Sequence, residues 1–221
     1  MILIETIKKI DFFNTLNEEQ LNIIASFSNV SKYESKSILF YESDIKNHLL
    51  FLVDGLIKIY KVDKFGNEIF LYHIYKNSMI SELSSMKSND IYCFSNAEFV
   101  ENSTILSVNF EKLQEYFLSK NILTTELMEI LLDKTHQLQC IVNRELVFDA
   151  TAKVAFMLNQ DLEMFNKLKR QEVSFMLHIQ PETLSRVLKR LSRDEIISID
   201  NGEVIIENQN ELICIFKGVG V

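Results

Sequence analysis

Three textures of apolar and polar positions follow one another along the chain. Up to about residue 30, apolar positions recur at helical spacing. Leu21, Ile24 and Ala25 follow Asn17, a good N-cap, with Gln20 three residues on in a capping-box arrangement, and Phe27 lies one turn past Ile24. Phe12 and Phe13 are placed to pack this lead-in against the next unit. From Val30 to Asn109 short apolar runs are broken by turn signals: SILFYE, HLLFLVDG, LIKIYKVDKFGN, EIFLYHIY and SNAEFVENSTILSVN. Ile57 and Ile59 alternate with Lys58 and Tyr60, and Asp54-Gly55 and Phe65-Gly66-Asn67 punctuate the runs. Many short strands at this spacing predict an all-β sandwich or barrel. The chain then returns to helix. NFEKLQEYFLSK reads as a short helix, and LTTELMEILLDKTHQLQCIVNRELVF runs on without Gly or Pro. There Leu127, Leu131, Leu138, Ile141 and Phe148 share a stripe near heptad spacing, flanked by Met128, Leu132 and Val142. Such a stripe serves either as a seam for a second copy or as the face of an ordinary core helix. A hinge is expected near Asp149, which can cap a helix over residues 150–160.

The last third carries the most specific pattern. In QPETLSRVLKRL, Pro181 can take the first helical position, where its missing N–H costs nothing. Leu184, Val187, Leu188 and Leu191 form one apolar face. The opposite side presents Glu182, Thr183, Ser185, Arg186, Lys189, Arg190 and Arg193. Arginine can grip a guanine edge, a carboxylate can accept from cytosine, and serine or threonine can meet either base. A polar face of this kind is also what any solvated amphipathic helix shows, so the flanking residues decide. RQEVSFMLHI supplies a preceding helix with Val173, Met176 and Leu177 inward, and the link at about residues 178–180 is short, as in a helix-turn-helix. Downstream, IISIDNGEVIIEN alternates around Asn201-Gly202, a strong hairpin signal. Two helices followed by a hairpin predict a winged helix.

Charge and composition test that reading. The 221 residues leave room for one large or two modest domains, and 47% hydrophobic content supports packed cores. A net charge of −8 is unusual for a nucleic-acid binder. The cations nevertheless cluster late, at Lys167, Lys169, Arg170, Arg186, Lys189, Arg190 and Arg193, a local basic patch of the kind phosphate contacts require. Three scattered cysteines, Cys93, Cys140 and Cys214, argue against a disulfide framework and for a reducing compartment. The first residues carry no secretory signal pattern and no apolar run approaches a membrane span, so a cytoplasmic protein without a membrane partner is expected.

The run RQEV…QPETLSRVLKRL resembles the DNA-binding end of the Crp/Fnr family of bacterial transcription regulators, and Glu182-Thr183-Leu184-Ser185-Arg186 matches the Glu-x-x-Ser-Arg signature of its Fnr-like branch. VDGLIKIY…GNEIFL resembles the cyclic-nucleotide-binding β-roll of the same family, with Gly55 and Gly66 at its turns. The resemblance implies an α+β protein: a β-roll (jelly roll) sensor with an N-terminal helix over residues 1–120, a long dimerisation helix over 121–148 and a winged helix-turn-helix over 149–221. It implies a homodimer on a palindromic TTGA-type site, with RNA polymerase as a partner. Glu182, Ser185 and Arg186 would contact bases, joined on the DNA by Arg170, Gln180, Thr183 and Lys189. Lys167, Lys169 and Arg190 would contact the backbone, and Leu127, Leu131, Leu138 and Ile141 would pair the subunits. Two positions depart from the family pattern: His178 stands where a turn glycine is common, and Gln180 where a capping Ser or Thr is common. Histidine tolerates positive φ better than most residues.

The same resemblance places an effector pocket at Ser81, Glu82 and Cys93. Glu82 matches the glutamate that holds a ribose hydroxyl, but Ser81 replaces a glycine and no arginine occurs from Asn77 to Phe99. A cyclic phosphate buried there would lack its cation, with Lys87 as the sole substitute, so cyclic AMP is not expected. A structural role for Glu82 within the roll is the expected alternative. An iron–sulfur cluster is disfavoured because it needs clustered cysteines. The resemblance also leaves open redox sensing through a single cysteine, Cys93 or Cys140, and a haem, as some members of the family carry, with His48, His73, His136 or a methionine as axial ligand, though none sits in a diagnostic motif. The Fnr-like reading helix points by analogy to a gas or nitrosative-stress signal. The competing readings are a ligand-binding regulatory subunit and a cupin-like metal enzyme. The scattered histidines, the five glycines and the lack of a nucleophile–base motif argue against an enzyme.

Overall fold

The computed structural model describes Ile2–Lys217. Two compact units divide the chain, Met1–His136 and Gln137–Val221. In the first, α1 (Ile2–Ile7) and α2 (Glu18–Ala25) precede ten strands. Asn17 and Gln20 cap α2 reciprocally: each backbone N–H donates to the other's side-chain oxygen at 2.9 Å. The strands are β1 (Ser28–Tyr33), β2 (Ile38–Phe40), β3 (Ile45–Lys46), β4 (His48–Asp54), β5 (Leu56–Val62), β6 (Glu68–Tyr75), β7 (Ser78–Met79), β8 (Ile91–Tyr92), β9 (Asn96–Phe99) and β10 (Ser103–Asn109). They pair antiparallel into two four-stranded sheets, β1-β10-β4-β7 and β2-β9-β5-β6, with β3-β8 as a small third pair.

The apolar run HLLFLVD is continuous because β4 is buried on both faces. Leu50 and Leu52 join Ile57, Ile59, Phe99 and Ile105 in the roll interior. Leu49 and Phe51 face the other way, into a core shared with Phe12, Phe13, Leu21 and Ile24. β5 alternates instead: Lys58 stands outside, paired with Glu68 and Glu98 across the neighbouring strands at 2.8 and 3.0 Å. Gly55 joins β4 to β5 at φ +105°, and a Cβ there would lie 2.1 Å from the Ser103 hydroxyl.

After α3 (Phe110–Tyr116), α4 (Thr124–Val142) begins the long helical stretch. The stretch departs from the expected uninterrupted helix to Phe148: Asn143–Val147 form a π-helical turn, closed by Phe148 N–H donating to the Asn143 carbonyl. Phe148 does not belong to a seam on α4. Its ring packs with Phe156 and Phe216, centroids 5.5 and 6.1 Å away.

The second unit contains α5 (Ala150–Gln160), α6 (Leu162–Lys167), α7 (Arg170–Met176), α8 (Pro181–Arg193), the hairpin β11 (Ile197–Asp200) and β12 (Glu203–Ile206), and α9 (Gln209–Lys217). Asp149 caps α5 by accepting from Ala152 N–H at 2.8 Å. Val154, Phe165, Val173, Leu184, Leu191, Ile197, Val204 and Leu212 bring every one of these elements into one core. The chain is therefore an α+β protein with an N-terminal β-roll, a long helix and a C-terminal winged helix-turn-helix. Among the described residues, no helix is long and apolar enough to cross a membrane.

Candidate nucleic-acid interface

α7 and α8 meet through a turn that the sequence makes without glycine. His178 takes φ +52°, its N–H donates to the Phe175 carbonyl, and Ile179 N–H reaches back to the Ser174 carbonyl. These two bonds close a Schellman motif with histidine at the left-handed position. Gln180 contributes no side-chain cap, and Pro181 starts the helix at N1. On α8, Leu184, Val187, Leu188 and Leu191 are buried, which pins the helix by one face. Glu182, Ser185, Arg186 and Lys189 are exposed on the other, with Thr183 half-buried beside them. Arg186 donates from Nη2 to the Thr183 hydroxyl at 3.1 Å, which orients the guanidinium along the outer face. Gln180, Lys167 and Lys169 are exposed in the same unit.

Two of the expected contact residues are engaged elsewhere. Arg190 donates to the Thr151 hydroxyl, tying α8 to the start of α5. Arg170 is half-buried, donates to the Gly202 carbonyl at 2.7 Å and lies 4.7 Å over the Phe165 ring, so its guanidinium is bound within the protein rather than presented on the surface. A second polar cluster had no signal in the sequence. The Glu145 carboxylate meets Arg144 Nε at 2.7 Å, His178 Nδ1 at 2.8 Å and Lys153 Nζ at 3.4 Å. Burial works against its charged form, but the hydrogen bonds and charges of His178 and Arg144 prevail and hold the carboxyl below its ordinary value.

In the β-roll, Ser81 is buried, its hydroxyl accepting from Leu50 N–H at 2.9 Å. Glu82 accepts from Tyr72 Oη (3.1 Å), Phe94 N–H (3.0 Å) and Ser95 Oγ (3.2 Å). Cys93 is buried in the roll interior, where desolvation pushes its thiol up to about 11. One cation that the sequence did not reveal is Lys134 on α4. It is half-buried, and desolvation, opposed by the charge of Glu82, lowers its ammonium to about 8. His48, His73 and His136 lie on β4, β6 and α4. Among the described residues, no group of three or more histidine, cysteine or carboxylate side chains is gathered as for a metal.

On α4, Leu127 is buried in the core of its own unit and Leu131 packs half-buried against it. The expected stripe is thus rotated: the apolar side chains left outside are Met128, Leu132, Leu138 and Val142, each more than half exposed, with Ile141 half-buried beside them.

Two family models match the chain, a cyclic nucleotide-binding domain over residues 30–120 and a Crp-like helix-turn-helix domain over residues 154–215. No curated protein sequence matches it. Among solved structures, a CooA mutant from Carboxydothermus hydrogenoformans is similar with a TM-score of 0.71 at 16% identity, covering 92% of this chain and 93% of that one. FixK2 from Bradyrhizobium japonicum is similar with a TM-score of 0.63 at 17% identity, covering 85% and 96%. The c-di-GMP-responsive global regulator CLP of Xanthomonas campestris gives 0.62 at 17% identity, covering 86% and 99%.

Proposed function

The chain belongs to the Crp/Fnr family of transcription regulators, is not an enzyme, and carries a helix-turn-helix DNA-binding domain; we propose that it works in the cytoplasm as a homodimer reading a palindromic TTGA-type site. The observation that carries the proposal is α8: four buried apolar side chains fix its back, while Glu182, Ser185 and Arg186 stand together on its exposed front. Two such helices must lie about one DNA turn, ~34 Å, apart to enter successive major grooves. The second copy is supplied along α4, where Met128, Leu132, Leu138 and Val142 offer an exposed apolar stripe. Lys167 and Lys169 are the proposed phosphate contacts.

The roll is proposed to answer a signal other than a cyclic nucleotide. Glu82 already accepts from three donors within the roll, as expected of a structural carboxylate. A gas or nitrosative-stress signal is the reading that the Fnr-like helix favours. An effector would act by shifting the population between competent and incompetent spacings of the two reading helices. A mobility-shift assay with a TTGA palindrome and a scrambled duplex over a range of salt tests the whole reading. The palindrome is expected to be preferred ~10³-fold or more, with both affinities falling as salt rises. Equal affinity for the two duplexes would reject it.

A further inference from the structure

The hairpin β11–β12 turns through Asn201 at φ +49° and Gly202 at φ +89°, the conformation that a two-residue turn of this twist demands. A lone two-stranded hairpin is marginal in water, so it needs a dock. Ile197 and Val204 supply part of it by burying their side chains in the core of the unit. The remainder is polar. Asn166, on α6, donates from Nδ2 to the Val204 carbonyl and accepts from Val204 N–H, both at 2.9 Å. Its side-chain amide thus pairs with the open edge of β12 as a neighbouring strand would. At the turn itself, Arg170 Nη2 donates to the Gly202 carbonyl at 2.7 Å, and its guanidinium stacks over Phe165, which is fully buried. The Arg170 Nη1 atom is buried without a hydrogen-bond partner among the described residues, so a phosphate could not reach it unless the side chain first left its place.

We infer that Arg170 is a positioning residue for the wing: together with Asn166 it fixes the hairpin on α6 and α7, and it does not itself contact DNA. The inference concerns how the proposed DNA-binding surface is built and rests on that reading only where DNA is the readout. Two side chains thirty-two and thirty-eight positions upstream of their targets thereby set the height and tilt of the tip formed by residues 200–203. That tip carries Asp200 and Glu203, both exposed. A tip of this charge gains nothing from approaching phosphates closely, so holding it at a fixed distance serves binding better than letting it swing.

The test uses the full chain with Arg170→Ala and Asn166→Ala in parallel. The first measurement is amide hydrogen exchange without DNA. Arg170 bonds a carbonyl and no wing N–H, so faster exchange in Arg170→Ala at residues 197–200 and 203–206 reports the hairpin's attachment rather than a directly lost bond. About a tenfold acceleration is expected, with the α8 amides unchanged. The second measurement is DNA affinity against salt. Both variants are expected to bind several-fold more weakly with the wild-type slope, whereas a lost phosphate contact lowers the slope by about 0.9. Unchanged wing exchange in Arg170→Ala overturns the inference whether or not DNA binds, and so does a slope lowered by that amount. A wild-type chain indifferent to DNA would reject the proposed function but leave the exchange result to decide the role of Arg170.

Discussion

Single side chains carry the most separable consequences. Arg186 lies on the exposed front of α8 and is steadied by the Thr183 hydroxyl. Arg186→Ala is expected to lose discrimination at one base pair, costing ~1–3 kcal/mol, with binding to scrambled DNA much less affected. Affinities for a set of single-base operator variants check this, and an unchanged preference would remove Arg186 from the base contacts. Lys134 makes a prediction about stability. Its folded value of about 8 lies below the ordinary lysine value. Below that pH both folded and unfolded chains hold the proton, and the cost of burying the charge is fully present. As pH rises from about 8 toward ~10.4, the folded chain sheds the proton first and the cost disappears. Lys134→Met should therefore stabilise the protein at neutral pH, on the order of 1–3 kcal/mol, with the gain fading as pH rises from about 8 and gone above pH ~10. Urea melts at neutral and alkaline pH measure it, and a variant no more stable than the parent at neutral pH would refute the burial of that charge.

At the scale of elements, the Glu145 cluster ties the π-helical turn to the helix-turn-helix within the C-terminal unit. Glu145 meets His178 at the very turn between α7 and α8, and Lys153, whose ammonium also donates to the Leu177 carbonyl at 3.3 Å. Glu145→Gln is expected to destabilise by about 1–3 kcal/mol at neutral pH, because the buried Lys153 ammonium loses its charged acceptor and, among the described residues, is left with the Leu177 carbonyl and a neutral amide. The carboxyl is held below its ordinary value, so its contribution is complete above the ordinary carboxylate range and is lost as pH falls through the folded value. The gap between parent and variant in denaturant melts should close on acidification; a gap constant with pH would show that the charge is not what matters. This cluster also marks where the sequence stops being informative. The α8 face, the Asn17–Gln20 box and the Asn201-Gly202 turn are local patterns, and each is legible within a few residues. The bonds of Asn166 to Val204 and of Arg170 to Gly202 join positions far apart in the chain, and no local periodicity signals them. Heptad spacing likewise shows that α4 has an apolar stripe but not which way the stripe faces. The spacing puts Leu127 in the stripe and Met128 beside it, and packing within the N-terminal unit turns Leu127 inward and leaves Met128 outside.

That rotation bears on the whole molecule, because a two-fold operator needs two reading helices and α4 is the proposed place of pairing. An apolar seam gains its stability by burying area, and a charge placed in it is left without a partner. Leu132→Lys or Leu138→Lys should therefore shift the protein from dimer to monomer in sedimentation. Affinity for the palindrome should fall far more than affinity for a single half-site, since the second reading helix no longer arrives tethered to the first. Leu127→Lys is the control that separates seam from core. It places a charge in the packed interior of the roll's helical layer and is expected to unfold the N-terminal unit rather than merely separate the copies. If Leu132→Lys and Leu138→Lys remain dimeric, the stripe on α4 is not the seam, and the paired readers must be joined through another surface.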